Sequence, residues 1–271
     1  MRPWKPRRRS KLRRRKTGSS SGFDKLSLKD LRCSRLRCLL LTGMPSEDFA
    51  RTLTGLAKPD AAVDAGNHRW VPRGMSEPDE TKLVETDVFV MSAELEVFTS
   101  WWLKVRRNAN VPNWDAVSTC TIEGRRGLIL VEAKAHDEEL FVNSKTEPRT
   151  ENDWTMHQRI SAAIQQANDG LNRVIPGWRL SRDTHYQLCN RFAWVAIVLD
   201  YLGFLNATEM IGRGSPSTRA KDWDDRVRNQ AGGIVPDQAW GKRLDVDCTP
   251  LWPLIRSLGL GFDPYWLEGR T

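Results

Sequence analysis

No stretch of this chain is apolar for long enough to cross a bilayer. The longest candidate, residues 192–205, is interrupted by Asp200, and a spanning helix needs about 20 apolar residues. No membrane partner is expected. The basic N-terminus is followed by no adequate apolar core for a secretion signal, residues 38–41 being too short. The cysteines Cys33, Cys38, Cys120, Cys189 and Cys248 are odd in number, scattered and without a C-x-x-C pair. That argues against a disulfide scaffold and a paired-cysteine zinc site, and it fits a reducing, cytoplasmic setting. Also missing are GxxxxGK[ST], GxGxxG and HExxH, while the GxSxG match at Gly18-Ser19-Ser20-Ser21-Gly22 follows an Arg/Lys run rather than an apolar strand. The three absences remove phosphate-loop, dinucleotide-binding and zincin chemistries, and the lack of a preceding strand removes the nucleophile elbow. No internal repeat marks a solenoid.

Charge is present but unevenly placed. The formal net charge of +8 comes from 42 Lys and Arg against 34 Asp and Glu. Ten of those bases lie in residues 1–16, which hold no acid, leaving 32 bases against 34 acids in the rest. The basicity therefore belongs to an arm, residues 1–22, Arg/Lys-rich and then Ser/Gly-rich, which is expected to be disordered. Such an arm can grip phosphates without sequence preference. It can equally be a solubilising or localisation tail, and translation starting nearer Met44 or Met75 would omit it. Residues 23–80 read as an N-terminal extension with one or two amphipathic helices (Leu26, Leu28, Leu31, Leu36; then Phe49, Leu53, Leu56) and Ser46 as a candidate cap. A Pro/Gly/Asp-rich loop follows over 57–80. Residues 81–271 form the main domain, closed by a proline- and tryptophan-bearing tail. Most of the twelve tryptophans are expected in the core or at interfaces.

The organising stretch is residues 111–136, VPNWDAVSTCTIEGRRGLILVEAKAH. Residues 128–131 are a short apolar run rich in branched side chains, as in a strand covered on both faces. Residues 116–122 alternate and are rich in strand formers. A type II′ turn on Gly124 and Arg125 would join them, because glycine tolerates the positive φ that turn requires. In that register Asp115 faces Lys134, Val117 faces Glu132 and Glu123 faces Arg126. Side chains flip at every residue and a strand rises about 3.3 Å per residue, so Glu132 and Lys134 share a face roughly 6.6 Å apart, and Asp115 joins them. A slip of one residue would separate them.

Two acids and a lysine on one face have the composition of a metal-dependent phosphodiesterase site. Mg²⁺ (or Mn²⁺) takes oxygen ligands and is usually held by one or two carboxylates, water and phosphate oxygens. Asp115 and Glu132 supply the carboxylates and the carbonyl of Ala133 a third oxygen. Lys134 is placed to orient the attacking water or to stabilise developing charge. The bland alternative is a solvated strand end with a surface Glu/Lys pair. Glu80-x-Lys82 has the same spacing but lies in a polar, proline-broken stretch, and is set aside as a loop.

Asp115, sixteen residues containing a hairpin turn, then Glu132-Ala133-Lys134 after a hydrophobic strand resemble the PD-(D/E)XK nuclease superfamily over roughly residues 90–205. The proline of the family name is displaced to Pro112, and Trp114 precedes the aspartate. The resemblance implies an α/β, restriction-endonuclease-like core of bacterial type. Its mixed central sheet would be flanked by helices, and its activity would be Mg²⁺- or Mn²⁺-dependent hydrolysis of DNA. It also implies a helix before the hairpin that lends a further acid. Residues 92–106 read as such a helix, with Glu94 or Glu96 available, although acids near a helix start also answer the helix dipole. Enzymes of this type are often homodimers.

Beyond the hairpin, residues 154–174 carry the clearest helical stripe, with His157, Gln158 and Gln165 on or beside its polar face. Residues 181–193 suggest a helix beginning at Ser181 or Asp183. On it Gln187, Asn190 and Arg191 share a face that could bind a phosphate or a base edge, or simply be solvated. Residues 194–204 read as a buried strand beside the hairpin, and a helical trace is expected from Asn206. Residues 221–230 form a charged amphipathic helix. His136 would share the face of Lys134 if the strand continued, as an auxiliary proton carrier or a plain strand end.

Overall fold

The structure is a computed structural model that describes residues 26, 33–82, 112–140, 147–202, 205–212, 220–246 and 249–258. The basic arm, the expected helix over 92–106 and the acids Glu94 and Glu96 lie outside the described residues. Among the described residues no helix is long and apolar enough to cross a membrane.

The hairpin is present: strand β4 (Ala116–Ile122) pairs antiparallel with β5 (Arg125–Lys134). Its register differs from the expected one by two residues. Ile122 pairs with Arg125 and Ala116 with Val131, so the turn residues are Glu123 and Gly124, at φ 49° and 75°. Two positive φ values make a type I′ turn, whose twist matches that of the strands it joins. Glu123 consequently faces Arg125 and Arg243 rather than Arg126. Because the shift is even, every side chain keeps its face.

These strands sit in a six-stranded mixed sheet of order β1-β4-β5-β6-β8-β7, with β1 Trp70–Val71, β6 Leu205–Gly212, β7 Leu244–Val246 and β8 Thr249–Ser257. Strands β5, β6 and β8 run parallel, while β1, β4 and β7 pair antiparallel with their neighbours. Parallel neighbours need a crossover, which is supplied by α3 (Glu151–Val174) and α4 (Tyr186–Leu202) between β5 and β6. Two further helices, α1 (Cys33–Thr42) and α2 (Ser46–Ala57), precede β1, and α5 (Ala220–Ala231) follows β6. A separate two-stranded ribbon pairs β2 (Thr81–Lys82) with β3 (Asn113–Trp114).

The pleat of β5 divides the core. Leu128 and Leu130 face one layer with Ile160, Ile164 and Leu171 of α3, Phe192 and Trp194 of α4, and Trp223 of α5. Ile129 and Val131 face the other with Leu41 of α1 and Phe49 and Leu53 of α2. Each such side chain contributes roughly 1.5–3 kcal/mol when fully removed from water. The architecture is therefore an α/β mixed sheet with helices on both faces. Trp114, Trp194 and Trp223 are among its largest fully buried side chains, whereas Trp154 is exposed. Helix α3 starts three residues earlier than its apolar stripe. A capping box starts it there: Thr150 Oγ1 accepts from Asp153 N, and Asp153 Oδ2 accepts from Thr150 N.

Several expected elements are corrected. Residues 194–202 are not a strand but the continuation of α4 to Leu202, and the strand beside the hairpin is β6. The helical trace expected from Asn206 is that strand. The tail beyond residue 231 contains β8, paired with both β6 and β7. Proline is tolerated at position 253 because β7 pairs only with residues 249–251, leaving Pro253 a ladder neighbour on one side. Its carbonyl accepts from Gly241 N at 2.7 Å. Residues 57–80, read as loop, include edge strand β1, whose Trp70 ring stacks on Phe49 at 4.4 Å. Ser46 is the first residue of α2, and the cap position is Pro45.

Candidate active site

The chain bends at Asp115, between β3 and β4. Asp115 N donates to Val131 O at 3.0 Å, and Asp115 Oδ2 accepts from Ala133 N at 2.7 Å. The carboxylate thus takes a ladder position that a backbone carbonyl would otherwise fill, and it is held against Glu132 and Lys134. Extrapolating the β4–β5 pairing places Asp115 across from Glu132, not from Lys134 as expected.

Glu132 is buried and doubly neutralised. Its Oε1 accepts from Lys134 Nζ at 2.5 Å and its Oε2 from Arg191 Nε at 2.8 Å. The Arg191 guanidinium also lies 5.1 Å from the centre of the Trp114 ring, so the tryptophan preceding Asp115 forms a wall for it. Lys134 Nζ reaches Gln187 Oε1 at 3.3 Å, at the solvent-facing end of the cluster. Helix α4 therefore delivers Gln187 and Arg191 to the hairpin, the pair that sequence spacing had placed on one face. The third member, Asn190, is buried beside them and its Oδ1 has no hydrogen-bond partner.

The electrostatics follow from burial and neighbours. Burial, then repulsion by Glu132, pushes the Asp115 carboxyl up to about 7, against the opposing Ala133 hydrogen bond and the Lys134 charge. Burial pushes Glu132 up too, but Arg191 and Lys134 together outweigh it and hold this carboxyl below its ordinary value. Burial would lower Lys134, but the Glu132 and Asp115 charges outweigh it and keep the ammonium protonated. Burial holds the Cys38 thiol of α1 well up, with the Asp115 and Glu132 charges adding to the effect.

Two further acids lie nearby. Glu80, set aside as part of a loop, is next to strand β2, accepts from Asn113 Nδ2 at 3.2 Å and pairs with Arg35 at 3.1 Å. Its charge contributes to the raised Asp115 value. Nothing in the sequence of residues 78–82 signals this position, because the β2–β3 pairing spans more than thirty residues. Glu139 follows β5 on a 3₁₀ turn (Asp137–Leu140). The strand ends at Lys134, so His136 does not share the Lys134 face; its Nε2 lies 3.1 Å from Cys33 Sγ. His157 is buried rather than on the polar face of α3, with Nδ1 3.1 Å from Arg182 Nη1.

A hard divalent cation fits this donor set. Asp115, Glu132 and the Ala133 carbonyl offer oxygen, the chemistry Mg²⁺ and Mn²⁺ take. Along a strand the N–H and C=O of one residue point to the same side, so the Ala133 carbonyl lies on the side where its N–H meets Asp115. Lys134 and Arg191 each hold one Glu132 oxygen, so a cation would share an oxygen with one of them, displace one, or use Asp115 Oδ1. Comparison with known proteins finds no matching family model, no matching curated protein and no matching solved structure.

Proposed function

We propose that the chain is a divalent-metal-dependent nuclease that hydrolyses DNA phosphodiester bonds on a PD-(D/E)XK, restriction-endonuclease-like core. The observation that carries this reading is the convergence of Asp115, Glu132 and Lys134 on one face at the end of β5, with Lys134 Nζ 2.5 Å from Glu132. Mg²⁺ or Mn²⁺ bound there would supply an acidified water and charge neutralisation at the phosphate. Asp115 and Glu132 would hold the ion with the Ala133 carbonyl, and Lys134 would orient the nucleophile, itself steadied by Gln187. Arg191 keeps Glu132 ionised. The Arg/Lys-rich arm of residues 1–22 adds the sequence-independent attraction for a polyanion.

The test is cleavage of plasmid and linear DNA with Mg²⁺ or Mn²⁺, comparing the wild type with Lys134→Ala. Activity in the wild type and its loss in the folded variant is the expected result; equal activity in both removes the site from the reaction. A second reading, a nucleic-acid-binding protein of the same fold without catalysis, is favoured by the double neutralisation of Glu132 by Lys134 and Arg191. It predicts salt-sensitive DNA binding unchanged by Asp115→Ala and no cleavage with either metal.

A further inference from the structure

A second cluster of ligand atoms lies beyond the end of β5, outside the acid–lysine site. Among the described residues, Cys33, His136 and Glu139 are the one group of three His, Cys, Asp or Glu side chains whose ligand atoms all lie within 4.8 Å of one another. His136 Nε2 is 3.1 Å from Cys33 Sγ and 3.8 Å from Glu139 Oε1. Around a tetrahedral ion with bonds of about 2.0 Å to nitrogen and 2.3 Å to sulfur, ligand atoms stand roughly 3.3–3.8 Å apart. The two His136 separations are close to that spacing, and the third, between Cys33 and Glu139, is within 4.8 Å.

We propose that Cys33, His136 and Glu139 form a site for a zinc-class divalent ion, with a fourth position open to water. One thiolate, one imidazole and one carboxylate form a donor set suited to zinc and unlike the all-oxygen set that Mg²⁺ prefers.

The local structure explains how the ligands come together. His136 and Glu139 are three residues apart about the single 3₁₀ turn Asp137–Leu140, and three residues complete one turn of that helix. Cys33 arrives from the first residue of α1, more than a hundred positions earlier in the chain. The carboxylate is already oriented. Glu139 Oε2 accepts from Ala135 N at 2.5 Å, and Glu139 Oε1 accepts from Ser34 Oγ at 2.9 Å. Ligands held in this way by neighbouring hydrogen bonds are typical of built metal sites. Cys33 and His136 are accessible to an ion from solvent: Cys33 is exposed and His136 partly so.

The site would tie the start of α1 to the exit of β5, two residues past Lys134. It does not depend on the nuclease reading, since none of its ligands belongs to that site.

The experiment uses the full chain, stripped with chelator and titrated with Co²⁺ and then Zn²⁺. The expected result is one bound Co²⁺ with a thiolate-to-cobalt charge-transfer band and tetrahedral visible bands, displaced by Zn²⁺. Both bands should persist in Asp115→Asn and vanish in Cys33→Ser, and His136→Ala should weaken binding at least tenfold. Zn²⁺ should also slow alkylation of Cys33, read by peptide mass so that the other thiols do not confuse it. Absence of a thiolate band in the folded wild type overturns the proposal, leaving Cys33 and His136 as a thiol–imidazole pair. So does a band that survives Cys33→Ser but is lost in Asp115→Asn.

Discussion

The β4–β5 hairpin carries acid–base pairs at both ends, and the two ends differ chiefly in water. At the turn, Glu123 pairs with Arg125 and Arg243, side chains 44%, 61% and 43% exposed. At the far end, Glu132 pairs with Lys134 and Arg191, side chains 6%, 13% and 11% exposed. Exposed pairs are worth about 0–1 kcal/mol, because solvent screens them and ordering long side chains costs entropy. Buried pairs are costly to assemble and more costly to break, since removing one partner strands a charge out of water. The same residue types therefore make a replaceable surface contact at one end. At the other they make a poised cluster in which each proton and each charge depends on its neighbours.

The sharpest way to break the comparison is Arg191→Ala. It should cost about 3–5 kcal/mol by chemical denaturation, because Glu132 loses one of its two cations; a loss under 1 kcal/mol would put the far end in the same class as the turn. Next comes Asp115. Its carboxyl, raised to about 7, is protonated in the folded protein and ionised in the unfolded chain between about pH 4 and 7. There the folded state binds more protons, so metal-free stability should fall as pH rises through that window. The slope is at most about 1.4 kcal/mol per pH unit, or about 4 kcal/mol in all. Asp115→Asn should flatten that dependence; thermal melts from pH 4 to 8 that superpose for the two proteins would refute the assignment. Lys134→Ala should lower kcat about 10²- to 10³-fold, the usual loss of one preorganised charge-stabilising donor, with a smaller effect on KM. The smallest effect belongs to the turn: Arg243→Ala should change stability by less than about 1 kcal/mol and leave cleavage unchanged.

What could be read from the sequence tracks how local its cause is. The hairpin was legible because period-two alternation and a glycine turn act within twenty residues. Even the mistaken turn type left the face of Asp115, Glu132 and Lys134 intact, since an error of two residues does not flip a strand. Helix α3 was legible from its apolar stripe. Helix α4 was legible only in its first part, because residues 194–199 are an unbroken apolar run, a pattern that a buried strand and a buried helical segment share. Strand β8 was hidden by Pro250 and Pro253, which read as breakers until the short reach of β7 is known. Within the site, Glu132 and Lys134 were visible, and Arg191 was seen as sharing a face with Gln187. Its partner Glu132 was not visible, because fifty-nine positions separate them. Cys33 beside His136 has the same cause: tertiary packing brings the residues together, and no spacing in the chain announces it.

Among the described residues no strand pairs with the β4 side of β5 past Val131, and two carboxylates stand in for one. Asp115 accepts the N–H of Ala133 and Glu139 that of Ala135. Unpaired strand edges invite another chain to add on, so these acids also serve as plugs against self-association. An inactivating alanine at position 115 would open a sticky edge along with removing the acid, whereas asparagine keeps an acceptor there. Asparagine is therefore the cleaner substitution for separating chemistry from aggregation.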